Sequence, residues 1–199
     1  MTEIQQNTQG FTRPDHLIET EWLAQNMHRP GLRIFDCGVV SKPHPDPELR
    51  KKYPVKPQSG RGTYEAAHIP GAGFIDVVED LTDKTTELPL MMPPFDHVVG
   101  RLSHAGIGDG TQVVLYSATN PMWATRVWWM LRAVGFDNAV ILNGGLAKWV
   151  AEKRLVSQGI DAYEPAEFKP VLRPELFVDK KTVLAALGDG PTLLIHALS

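Results

Sequence analysis

The side chains with the means to do chemistry in this chain gather around one loop. Ser117, Ala118, Thr119, Asn120, Pro121 and Met122 follow Val113-Val114-Leu115-Tyr116, a run without polar alternation, as expected of a strand buried on both faces. Beyond the loop, apolar residues recur at Trp123, Val127, Met130, Leu131 and Val134, a spacing that predicts a helix stopping at Gly135 with glycine as its cap. A strand that runs through a loop into a helix presents unpaired N–H groups and a partial positive charge at the carboxyl end of a parallel sheet, where such sheets bind ligands. The loop from Ser117 to Met122 is therefore the candidate site.

Other reactive types lie apart from it in sequence. Ser117 as a hydrolase nucleophile would need an activating partner, yet S-A-T-N-P lacks the G-x-S-x-G elbow and no histidine lies nearby in sequence. Cys37 closes the run R-I-F-D-C and reads as a packing thiol, since unpaired cysteine is among the most buried residue types. His68 stands just before a Pro70-Gly71 turn. A catalytic role is one reading, and backbone hydrogen bonding that fixes the turn is the one we favour. Arg126, one turn into the helix, is a candidate anion contact near the loop, with pairing to an internal carboxylate such as Asp36 or Asp76 the more usual arrangement. Arg50, Lys51, Lys52, Lys56 and Arg61 form a basic stretch that we read as a solvated loop, the alternative being an anion contact. Trp128 and Trp129 are adjacent on the helix and cannot share a face, so at least one is expected to pack under the sheet.

The elements that must position these residues follow a strand, loop, helix, strand, helix order. Ala139 to Leu142 reads as a second buried strand, Asn143-Gly144-Gly145 as a turn, and a helix begins near Leu146, which together make a unit of a parallel sheet. Upstream, residues 1 to 13 are polar and read as loose. Leu17 and Ile18 form a short extended piece, and Thr20 is expected to cap a helix carrying Trp22, Leu23 and Met27. Arg33 to Cys37 reads as a buried strand whose end carries Asp36. Val39 to Thr63, rich in proline, lysine and glycine, reads as a long exposed insertion. A helical turn ending at His68, a tight turn and a strand start at Phe74-Ile75 come next, then the connector Leu88 to Pro94. A helix from Asp96 to Leu102 should turn Val98, Val99 and Leu102 inward.

Composition narrows the function classes. At 199 residues there is room for one well-buried domain and a remainder. With 43% hydrophobic and 22% charged residues, neither disorder nor a membrane span is indicated, and a net charge of -3 leaves no electrostatic footprint for nucleic acid. A single cysteine rules out an intrachain disulfide framework and a multi-cysteine metal site. The first ten residues lack a signal-peptide pattern, and a cytoplasmic location fits best. At the other end, Arg154 to Phe177 reads as a linker paced by Pro165, Pro170 and Pro174. A helix capped by Asp179 and closed by Gly188 follows, and then a β-like run from Thr192 to Ala197. One helix and one strand cannot bury a core, so Val183, Leu184, Leu187, Leu193 and Ile195 must fold back or form an exposed patch.

Four segments taken in order resemble a known family, the rhodanese-like sulfurtransferases. They are Tyr64 to Asp76 (Y-E-A-A-H-I-P-G-A-G-F-I-D), Leu81 to Pro93 (L-T-D-K-T-T-E-L-P-L-M-M-P), Arg126 to Leu131 (R-V-W-W-M-L) and Leu142 to Trp149 (L-N-G-G-L-A-K-W). The match is to the N-terminal half of the tandem-domain thiosulfate and 3-mercaptopyruvate sulfurtransferases. It implies an α/β fold, a rhodanese-like three-layer domain with a central parallel sheet flanked by helices. The domain would span residues 1–153 with its insertion at 39–63, followed by an interdomain linker at 154–178 and, at 179–199, the truncated start of a second such domain. The chemistry implied is transfer of sulfane sulfur from thiosulfate or 3-mercaptopyruvate to a thiophilic acceptor through a cysteine persulfide, with no metal or organic cofactor. Partners implied are a small sulfur-containing anion in the full-length parent and a second rhodanese-like domain, with no nucleic acid and no membrane.

The family places its persulfide cysteine where this chain has Ser117. A serine cannot form a persulfide at neutral pH, because its alkoxide is far less accessible than a thiolate. Ala118, Thr119, Asn120, Pro121 and Met122 also depart from the compact, glycine-containing family loop, and Pro121 removes an N–H donor. No catalytic residue is therefore assigned, and this half is expected to be silent. At the end of the chain, the family's aspartate and arginine are matched by His196 and Leu198. The alternative is a non-enzymatic rhodanese-fold module that binds an anion or a protein partner.

Overall fold

The computed structural model describes residues 14–195. In chain order the elements are β1 (Leu17–Ile18), α1 (Thr20–Asn26), β2 (Leu32–Asp36), β3 (Val39–Pro43), α2 (Pro47–Lys52), β4 (Val55–Ser59), α3 (Arg61–Ala66) and β5 (Gly73–Phe74). They continue with α4 (Phe95–His104), β6 (Gln112–Tyr116), α5 (Met122–Ala133), β7 (Ala139–Leu142), α6 (Gly145–Ala151) and α7 (Lys180–Ala185). Five strands make one parallel sheet in the order β1-β7-β6-β2-β5.

The sheet carries a core on each face, which explains why its strands lack polar alternation. Val113 and Leu115 of β6 point into one cluster with Phe35, Val98, Leu102, Val127, Met130 and Leu131, so α4 and α5 cover that side. Val114 and Tyr116 point into the other with Ile34, Val140, Leu142, Leu23, Leu146 and Trp149, so α1 and α6 cover the opposite side. Each such fully buried side chain contributes roughly 1.5–3 kcal/mol relative to exposure. A three-layer arrangement, helices on both faces of the sheet, is the physical result. Val98 and Leu102 are buried as the helical spacing requires, while Val99 is half-buried at the edge of its cluster. Trp128 packs against the first core and donates its indole N–H to the Ala139 carbonyl (3.0 Å), whereas Trp129 is exposed on the outside.

Four expectations are corrected. Thr20 is the first residue of α1 and not its cap; its hydroxyl donates to Glu152 (2.6 Å) and ties α1 to the end of α6, while Glu19 holds the cap position with its carboxylate drawn to Asn143 and Lys148. The stretch from Val39 to Thr63 is ordered: β3 and β4 pair as an antiparallel ribbon carrying α2, whose N-terminus is capped by Asp46 accepting from Glu48 N–H (2.8 Å) and Leu49 N–H (3.2 Å). Gly60 closes the ribbon where a Cβ would lie 2.2 Å from the Gly38 carbonyl oxygen, a crossing only glycine permits. Arg50, Lys51, Lys52, Lys56 and Arg61 are exposed on this ribbon and the turn after it.

The third correction concerns 154–177, which is a strap across the domain. Ser157 bridges His68, Ala166 N–H donates to Ser103 O (2.9 Å), and Phe168 is buried with its ring edge-on to Phe136. Val171 and Arg173 bond the backbone at Val134 and Ala133, Arg173 forks onto Asp137, and Trp129 donates to Leu176 O (2.9 Å). Beyond the strap, Asp179 caps α7 through Thr182 N–H (2.7 Å), and residues 192–195 form no strand, there being no neighbouring strand to supply a ladder among the described residues. Val183, Leu184, Leu187, Leu193 and Ile195 are all exposed, so none of them folds back into a core. The readings for residues 1 to 13, His196, Ala197 and Leu198 lie outside the described residues. No helix among the described residues is long and apolar enough to cross a membrane.

Candidate functional site

β2 and β6 pair with Asp36 opposite Tyr116, so the aspartate at the end of one strand lies beside the loop that leaves the other. Asp36 is fully buried, and its Oδ1 accepts from Gly38 N–H (2.8 Å) and Ala118 N–H (3.2 Å). Its Oδ2 is buried without a partner. Burial pushes the carboxyl pKa up to about 6, opposed by the Ala118 and Gly38 N–H groups and by the field of His68. Asp36 is thus a hub of the loop, a role that its position after an apolar run hints at and that no motif marks.

Ser117 is nearly buried, and its hydrogen bonds stay inside the loop. Its Oγ accepts Thr119 N–H (3.1 Å) and lies 3.2 Å from Thr119 Oγ1. Thr119 gives its one hydroxyl hydrogen to the Val39 carbonyl (2.9 Å), so the Ser117 hydroxyl is the donor to Thr119. Met122 N–H donates to Asn120 Oδ1 (3.0 Å) and Trp123 N–H to Asn120 O (3.2 Å). The N–H groups of Ala118, Thr119, Met122 and Trp123 therefore all have acceptors within the protein, and Pro121 has none to give. The Gly144-Gly145 turn, with φ of 78° and 54°, presses on the Ser117 carbonyl, a Cβ at Gly145 falling 3.0 Å from that oxygen. Met122 begins α5 and is exposed.

Cys37 lies beside the loop, its N–H donating to the Tyr116 carbonyl (2.8 Å), but its thiol is turned into the core, and His68 and Arg126 bond elsewhere. Cys37 is buried in the first core, and burial followed by the Asp36 charge drives its thiol pKa well above the usual range, the opposite of what a thiolate nucleophile needs. His68 is buried against Tyr64. Its Nδ1 meets the Tyr64 carbonyl (2.9 Å) and its Nε2 the Asp161 carboxylate (3.1 Å), which also accepts Gly71 N–H (3.1 Å). The histidine fixes the turn and fastens the strap. Nothing in the local sequence marks Asp161 for this role.

Arg126 departs from expectation in another way. It pairs with neither carboxylate: Asp36 serves the loop, and Asp76 takes Val78 N–H, Glu79 N–H and the Ser59 hydroxyl. Its guanidinium donates to the Leu90 carbonyl instead, its Nε is buried without a partner, and burial pushes its pKa down. Among the described residues no three His, Cys, Asp or Glu side chains group to hold a metal ion.

Residues 19–152 match the family model described as a rhodanese-like domain. The chain is 33% identical over 187 residues to thiosulfate sulfurtransferase of Cricetulus griseus, covering 91% of this chain and 58% of that relative. It is 30% identical over 180 residues to 3-mercaptopyruvate sulfurtransferase of Escherichia coli K12, covering 90% and 60%. Among solved structures it is similar to SseA from Escherichia coli, described as a 3-mercaptopyruvate sulfotransferase, with a TM-score of 0.73 and 29% identity over 87% of this chain and 62% of that one. The chain thus spans under two thirds of the length of these relatives.

Proposed function

The chain belongs to the rhodanese-like domain family, and from that premise we propose that it is the N-terminal half of a tandem-domain sulfurtransferase. The parent moves sulfane sulfur from thiosulfate or 3-mercaptopyruvate to a thiophilic acceptor in the cytoplasm, and this half is itself silent. The observation that carries the proposal is an oxygen where the reaction needs sulfur: Ser117 begins the loop after the central strand β6, hydrogen-bonded to Thr119. In the reaction a thiolate takes the sulfane sulfur as sulfite or pyruvate leaves, and the acceptor then attacks that sulfur and restores the thiolate. A serine hydroxyl near neutral pH supplies no such anion: Thr119 N–H is aimed at the Ser117 oxygen, while the Ala118 and Met122 N–H groups are turned to Asp36 and Asn120. In this reading the domain is one wall of a cleft, and the carrier thiol lies in the other half.

The test incubates the purified chain with thiosulfate and cyanide, and separately with 3-mercaptopyruvate and a thiol, following thiocyanate, pyruvate and intact mass. No turnover and no mass gain of one sulfur are expected; transfer that disappears on Cys37→Ala refutes the silent assignment. A second reading, a non-enzymatic module for an anion or a protein partner, draws on the buried Arg126 guanidinium with its unpartnered Nε. Thiosulfate binding without turnover, lost in Arg126→Gln, would favour it.

A further inference from the structure

At the β5 edge of the sheet, α4 and the strap enclose a cavity of about 290 Å³. That is close to the lower end of small-molecule sites, roughly 300 Å³. Its floor is apolar, formed by Phe35, Phe74, Leu81 and Leu102. Two carboxylates line it and both are engaged, Asp161 by His68 and Gly71 and Asp80 by Arg101. Arg61 differs. Its guanidinium carbon sits 5.1 Å from the centroid of the Phe74 ring, and among the described residues it has no ion-pair partner. A guanidinium stacked on an aromatic face keeps its N–H edge free, and that edge receives a carboxylate through two parallel bonds.

We propose that this cavity binds a small organic acid, one carboxylate on an aromatic or branched apolar body. Arg61 holds the carboxylate beside Phe74 while the body lies on the apolar floor. Residues 160–163 and Pro165 of the strap form the roof, and Ala166 N–H bonds the Ser103 carbonyl just beyond it, so an occupant fastens the strap to α4. No residue of the Ser117–Met122 loop lines this cavity, and the proposal stands apart from the sulfur-transfer reading.

The test is an NMR titration of the full chain with phenylacetate and, separately, isovalerate. Saturable amide shifts are expected at Phe74, Ala105 and Ala162, with slower hydrogen exchange at Ala166. Neutral phenylacetamide should bind about tenfold or more weakly, the usual loss when a charged hydrogen-bond partner is removed. Arg61→Gln, at an exposed position, should weaken phenylacetate by a similar factor and leave phenylacetamide unchanged. The proposal is overturned if neither acid saturates at millimolar concentration, if the shifts fall on the Ser117–Met122 loop or the ribbon, or if the Arg61→Gln chain binds phenylacetate as tightly as the parent.

Discussion

Replacing Asp36 by Asn should change how the stability of this protein depends on pH. The folded-state pKa of about 6 against an ordinary value of 3.8 is a rise of about 2 units, and at 1.36 kcal/mol per unit this amounts to about 3 kcal/mol. The native state binds this proton more tightly than the unfolded chain does. Ionised Asp36 therefore opposes folding: the cost is absent below pH 3.8, grows between 3.8 and 6, and is complete above 6. Asn keeps an oxygen for Gly38 and Ala118 N–H but places an amide where Oδ2 has no partner, a fixed penalty of roughly 1–3 kcal/mol that does not depend on pH. Other carboxyls, among them Asp137 and Glu152, have lowered pKa values and lose stability toward acid, so the parent curve alone is not diagnostic. The diagnostic quantity is the difference between Asp36→Asn and parent, from urea denaturation at intervals between pH 4 and 7.5. The variant should gain about 2–3 kcal/mol relative to the parent across that range, most of it by pH 6.5. A difference that stays flat to within about 0.5 kcal/mol, near the scatter of such measurements, would refute the burial argument for the hub of the loop.

Two further outcomes follow from the packing. Gly135→Ala forces a residue with a side chain into φ 89° and sets its Cβ 2.5 Å from the Val171 carbonyl oxygen; a loss of about 2–4 kcal/mol is expected, with faster amide exchange at Val171 and Arg173. The Cys37 thiol, buried and with its pKa raised, should take no iodoacetamide in the native protein at pH 8 and one adduct in urea, read by intact mass; rapid native alkylation would mean the thiol is accessible.

Much of the frame is legible from residue types because it rests on local patterns. Ala139–Leu142 and the strand ending at Tyr116 announce themselves as runs buried on both faces, and Gly135 marks where α5 stops because the left-handed angle there favours glycine. The ribbon is hidden because Pro43 and Pro57 read as breaks, although edge strands tolerate them where no partner needs the N–H. The strap is hidden for a different reason. Its hold depends on hydrogen bonds to distant backbone and on isolated anchors such as Phe168 and Tyr163, which carry no period. At the site, the loop could be picked out from its place after β6. That its donors answer to Asp36, and that Arg126 answers to a carbonyl at Leu90, depends on which chain ends the sheet brings side by side.

The strap also separates two definitions of a domain. The match to the rhodanese-like family model ends at residue 152, whereas the buried ring of Phe168 and the backbone bonds of Val171 and Arg173 lie well past it. The unit that melts as one should therefore be longer than the family signature, and a gene fragment trimmed to that signature would encode a polypeptide missing part of its own interior.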